Sequence, residues 1–133
     1  MNVLLPPDWP RPRGYANGVS ATGRHVFIAG MIGWDEQGVF HTDDIAGQTR
    51  QALQNLMLVL REAGGKPGDL VRMTWYVTDK RAYLAASQEI GRIFREIVGS
   101  YNAAMTAVEV TALMEDRAKI EIEATAVIEE QDA

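Results

Sequence analysis

MTAVEVTALMEDRAKIEIEATAVI, residues 105–128, is the stretch whose reading decides the fold. Two parts of it, 105–113 and 118–128, alternate at a period of two, with a short charged loop between them. Such alternation sends successive side chains to opposite faces of a strand, so both parts read as strands facing each other across the loop. In the later one Ile120, Ile122, Ala124, Ala126 and Ile128 oppose Glu121, Glu123, Thr125 and Val127. In the earlier one Val108, Val110 and Ala112 oppose Met105, Ala107, Glu109, Thr111 and Leu113. Each strand therefore has one mixed face. A half-apolar sheet face carrying a few acids fits a subunit interface around a polar cleft, and it equally fits an exposed sheet with scattered apolar residues.

Upstream, helical and strand periods interleave. Residues 81–98 carry an apolar stripe at Tyr83, Leu84, Ser87, Ile90, Gly91, Phe94 and Val98, which predicts a helix ending near Gly99 and Asn102. LVRMTWYV, 70–77, reads as a strand with Arg72, Thr74 and Tyr76 on one face and Met73, Trp75 and Val77 on the other. A longer helix begins after Asp43 and Asp44, either of which can cap its free N–H groups. Its stripe runs through Ile45, Thr49, Ala52, Leu53, Leu56, Leu60 and Ala63 to a stop at Gly64-Gly65, and Pro67 blocks its renewal. HVFIAGM, 25–31, is a further strand, 34–40 a loop or hairpin turning at Gly38, and 15–21 a short strand. Residues 1–13 hold four of the five prolines and are expected to be an irregular arm before a domain spanning 14–133. Strands interleaved with two helices predict an α+β fold. It is a single two-layer domain, one mixed sheet with both helices packed on one face.

Charge and composition bound the function. The chain has 133 residues and a net charge of −5, which disfavours phosphate backbones, so no nucleic-acid partner is expected. It contains no cysteine, which excludes disulfides and thiolate chemistry. The apolar run before the first prolines is too short for a signal-peptide core, and no stretch has the length of a membrane span; a cytoplasmic location is expected. His25 and His41, the only histidines, lack metal-ligand spacing, so neither a metal nor a cofactor is expected. Glu121 and Glu123 stand two apart on one strand face and could divide acid and base roles, though two acids on an exposed strand are more often merely solvated.

Several motifs together carry a family resemblance: Gly14-Tyr15, the strand ending AGMIG, the helix QTRQALQNLMLVLREAGG, the segment PGDLVRMTWYVTD, and VEV followed by IEIEATAV. In this combination the chain resembles the Rid family (reactive intermediate deaminases, also called YjgF or L-PSP endoribonuclease-like proteins) over nearly its whole length. The resemblance implies a chorismate-mutase-like fold and a homotrimer with small-molecule clefts between subunits. It also implies enamine or imine deaminase chemistry. There an arginine holds the substrate carboxylate, a glutamate on the last strand activates water, and a tyrosine lines the cleft.

By position the glutamate falls on Glu121 and the tyrosine on Tyr15, as the catalytic candidates. Ala29, Gly30, Met31, Met105 and Thr106 fall on the substrate-binding positions. The family arginine is here Met105, and its preceding proline is Ala103. Methionine offers polarisable surface but no donor. Losing a charged hydrogen bond of roughly 1.5–3 kcal/mol costs about 10- to 150-fold in binding. The expected substrate is therefore an apolar or aromatic, non-standard imine or enamine. Two other classes stay open: a non-catalytic trimeric ligand-binding module, and the endoribonuclease activity in the family's older name, which the acidic charge and the lack of a histidine pair oppose.

Overall fold

A computed structural model describes residues 1–130 of the chain. Its elements in order are β1 (Asn2–Leu4), β2 (Gly18–Ser20), β3 (Arg24–Ile32), α1 (Ile45–Glu62), β4 (Leu70–Val77), α2 (Lys80–Ala85), α3 (Ser87–Ile97), β5 (Ala104–Glu109) and β6 (Ile120–Ile128). The α+β, two-layer reading holds: β3, β6, β4 and β5 form one mixed sheet, in that order, with the helices against one face.

Asp44 is the cap of α1, its carboxylate accepting from the Gly47 N–H at 3.0 Å. At the other end Gly64 takes a left-handed φ of 79°, as a C-terminal stop requires. The stripe from Ile45 to Leu60 is buried as its spacing predicts. It meets Met73, Trp75 and Val77 of β4 and Ile120, Ile122, Ala124 and Ala126 of β6 in one core. A register shift between Leu70 and Arg72 lets Leu70 join that core although it sits two residues from Arg72.

Four details depart from the sequence-based expectations. The last two strands do not face each other: β4 lies between them, β6 antiparallel to it and β5 parallel. The chain leaves β5 through a bond from the Val110 N–H to the Val77 carbonyl and crosses the end of β4 before β6 begins. Alternation shows which residues share a face but not which strand is the neighbour, and the helical connection from β4 makes β5 parallel. The face assigned to β5 changes accordingly. Met105 pairs with Met73 and Ala107 with Trp75, on the helical side, whereas Thr106 and Val108 lie beside Thr74 and Tyr76 on the open side. Next, the single helix predicted over 81–98 is divided at Ala86, whose ψ of 6° leaves the helical range. Finally, the arm predicted to be irregular contains β1, which pairs with β2.

The arm is docked by a parallel bridge between Ala16 and Ala104, with the Ala16 N–H donating to the Ala103 carbonyl at 3.0 Å. This contact brings residues 13–16 to the free edge of β5. No described helix is long and apolar enough to cross a membrane.

Candidate functional site

Between the arm, the edge of β5 and α3 lies a cavity of about 950 Å³. Its floor is Trp75, which is 1% exposed, and Phe94 beside it at 6.1 Å between ring centroids. Tyr83 meets Trp75 edge-on at 6.3 Å, and Tyr101 stacks on Phe94 at 4.7 Å with the rings within 6° of parallel. Met105, Ala107 and Tyr15 complete an apolar and aromatic wall. The Tyr101 hydroxyl donates to the Gly91 carbonyl at 2.9 Å and accepts from Arg95 Nη1 at 3.3 Å. Burial pushes the Tyr83 phenol above its usual value, so it stays protonated and uncharged at neutral pH. The buried indole N–H of Trp75 has no hydrogen-bond partner among the described residues.

The candidate acids lie elsewhere. Tyr76 of β4 pairs with Glu121 and Thr74 with Glu123, on the face of the sheet opposite to the helices. The Tyr76 hydroxyl donates to Glu123 Oε1 at 2.6 Å, and this bond raises the phenol above the ordinary tyrosine value. Glu121 makes no such bond among the described residues; it lies over Gly30, where an added Cβ would be 2.7 Å from its Cδ. Gly30 and Ala29 fall in the irregularity between Ile28 and Met31, where β3 loses register against β6. A bulge there leaves space for the carboxylate above a bare backbone.

The expected site residues thus divide into two groups within one chain. Tyr15 and Met105 line the aromatic cavity, and Thr106 borders it at the free edge of β5 although its register puts it on the open side. Glu121, Ala29 and Gly30 sit together on or beside the open sheet face. Met31 pairs with Ile122 and packs against the core, away from both. A single subunit cannot bring Glu121 to Met105, because the sheet stands between them.

Sequence reasoning passed over Arg13, Arg95 and Tyr101, all of which line the cavity. The signal for Arg95 was present: Ser87, Gly91 and Arg95 recur every four residues on one face of α3. Neither histidine lines the cavity; His41 contacts Asp35 at 2.8 Å and His25 lies edge-on to Phe27.

The family model described as endoribonuclease L-PSP matches residues 10–128. A RutC family protein of Pyrococcus horikoshii is 35% identical over 126 residues, covering 93% of this chain and 95% of that one. A 2-iminobutanoate/2-iminopropanoate deaminase of Salmonella typhimurium is 34% identical over 113 residues, covering 85% of this chain and 86% of its own. Among solved structures, a protein of unknown function of the conserved Rid family from Yersinia pestis superposes with a TM-score of 0.83 at 36% identity, over 96% of this chain and 98% of that one. The chain belongs to the endoribonuclease L-PSP family, among the Rid proteins of YjgF fold.

Proposed function

We propose that the protein is a deaminase-type hydrolase for imines or enamines with an apolar or aromatic body, acting in clefts at the seams of a homotrimer. The observation that carries this reading is the wall around Met105. Trp75, Phe94, Tyr101 and Tyr15 surround the position where an arginine is expected, so the site favours a flat, apolar ligand body. The division of the candidate residues between two sheet faces supports the trimer. A cleft that needs both Glu121 and the Met105 wall must take them from different subunits.

In this reading the substrate lies along the aromatic wall with its C=N carbon toward Glu121 of the adjoining subunit. The carboxylate takes a proton from water as the water oxygen bonds to that carbon, and that proton passes to the imine nitrogen, giving a neutral carbinolamine. The carboxylate then takes the carbinolamine hydroxyl proton and hands it to the same nitrogen as the C–N bond breaks, so ammonia leaves and the carbonyl product forms. Tyr15 orients the ligand from the arm. Gly30 keeps the space in which Glu121 and its water sit.

The test is ammonia release from imines generated in situ by amino-acid oxidases, with semicarbazide trapping. Imines of aromatic amino acids should be hydrolysed faster with the protein than without it, and Glu121→Gln should abolish the acceleration while the fold is kept. Strong acceleration of 2-iminopropanoate in preference to aromatic imines would overturn the role given to Met105.

A further inference from the structure

Among the described residues the cavity wall contains two charged groups, Arg13 and Arg95, and no carboxylate. In a chain of net charge −5 this is a local reversal of sign. Arg24, Arg50 and Arg117 each contact a carboxylate, whereas among the described residues neither Arg13 nor Arg95 has one within 4.0 Å. Arg95 is nevertheless not loose. Its Nη1 donates to the Tyr101 hydroxyl, which is itself tied to the Gly91 carbonyl and stacked on Phe94. Arg13 precedes Gly14, whose φ of 82° turns the arm, and Ala16 is anchored to β5 three residues later. Two cations approach one apolar cavity from different elements, each with donors to spare.

We infer that Arg13 and Arg95 form an anion grip at this cavity and that its ligand is an apolar or aromatic molecule bearing a carboxylate. The sign of the wall draws anions into the cleft, and a low-dielectric aromatic floor lessens screening of the charge that binds. A guanidinium also matches a carboxylate with two parallel N–H donors, which a neutral isostere cannot exploit fully. The anionic anchor is thereby supplied from the arm and from α3 while Met105 presents only surface to the ligand body. This inference depends on the proposed function only for the choice of cavity; it gives the charge class of what enters.

The experiment compares binding of 3-phenylpropionate with its uncharged amide, 3-phenylpropanamide, to the full-length protein by titration calorimetry and ligand-observed NMR. The acid should bind about 10- to 100-fold more tightly than the amide at low salt, as expected for a charge-assisted pair, and the preference should shrink as salt is added. Arg95→Gln and Arg13→Gln should each reduce the preference, and the double variant should bring it close to one through loss of acid binding, with amide binding falling by no more than about twofold. Amide binding also reports that the cavity has kept its shape, so a fall in acid binding alone cannot be misfolding. Equal binding of acid and amide by the unaltered protein would overturn the inference, as would a preference that survives the double variant. The readout needs no turnover: an acid preference without ammonia release would sink the deaminase reading and leave the anion grip standing.

Discussion

A methyl group at position 30 would have to share space with the Glu121 side chain, whose Cδ lies 2.7 Å from where that carbon would be. The atoms it meets are the end of a flexible side chain, so the conflict is relieved by turning Glu121 aside. Gly30→Ala should therefore change stability by less than about 1 kcal/mol and yet cost turnover nearly as much as Glu121→Gln. Gly33 is the contrasting position. There the added carbon would lie 2.7 Å from the Gln48 Cα, which is helix backbone, so Gly33→Ala should destabilise by about 1–3 kcal/mol or more. Urea unfolding of both variants, read beside ammonia release, checks the pair; a Gly30→Ala protein with full activity would remove the reason given for that glycine. The Tyr76–Glu123 bond gives a second prediction at this scale. The hydrogen bond to the carboxylate favours the protonated phenol and raises the folded value. Its contribution to stability is therefore complete below the unfolded tyrosine value and is lost as pH rises through the folded one. Phenolate absorbance should show two of the four tyrosines, Tyr76 and Tyr83, ionising late, and Glu123→Gln should move only one of those two steps to lower pH.

At the scale of elements, Gln48 ties the start of α1 to the connection between β5 and β6. Its Nε2 donates to the Thr42 and Arg117 carbonyls at 3.0 Å each, and its Oε1 accepts from the Lys119 N–H at 2.7 Å. Gln48 is fully buried. Gln48→Leu leaves three backbone groups to find water or go unpaired, and should cost about 2–5 kcal/mol given about 1–3 kcal/mol for each buried group left unsatisfied. The midpoint of urea unfolding should fall with its slope unchanged; an unaltered midpoint would show that the connection is not held this way. Gln48 also marks a limit of what the sequence discloses. It occupies the buried stripe between Ile45 and Ala52, but a glutamine there reads as solvent-facing until its partners, nearly seventy residues later, are known. The same limit governs β5. The cap of α1, narrowed to Asp43 or Asp44, the Gly64 stop and the bounds of β4 were legible because each depends on neighbours in sequence. Which strand β5 joins, and therefore which way Met105 faces, depends on a partner chosen by the path of the chain between β4 and β5. Arg95 was harder to read for a related reason: an exposed charged residue late in an amphipathic helix reads as solvated surface, and its place in the row of Ser87 and Gly91 gains meaning only when Tyr101 and the arm are seen beside it.

For the whole molecule, the separation of Glu121 from the Met105 wall by the thickness of a sheet makes assembly part of the proposed chemistry. The face that bears Glu121, Glu123, Tyr76 and Arg72 also carries Phe27, which is 76% exposed, a large apolar surface for a lone chain to leave to water. A ring of three subunits can cover that face and set each Glu121 against a neighbour's cavity through a repeated head-to-tail contact. Light scattering should then give a particle of three times the 14.7 kDa chain mass. The decisive measurement is complementation. One set of subunits carries Glu121→Gln and keeps its cavity; the other keeps Glu121 and has its cavity blocked by Ala107→Trp on the wall. Either alone forms clefts in which one half is defective, so both should be inactive. Unfolded together in equal amounts and refolded, they assemble at random, and about one quarter of the clefts join an intact glutamate half to an intact cavity half. Activity should return to about that fraction of the unaltered protein's. If each chain instead held a complete site, every site in the mixture would still carry one defect. No activity would then return, whatever the size of the particle.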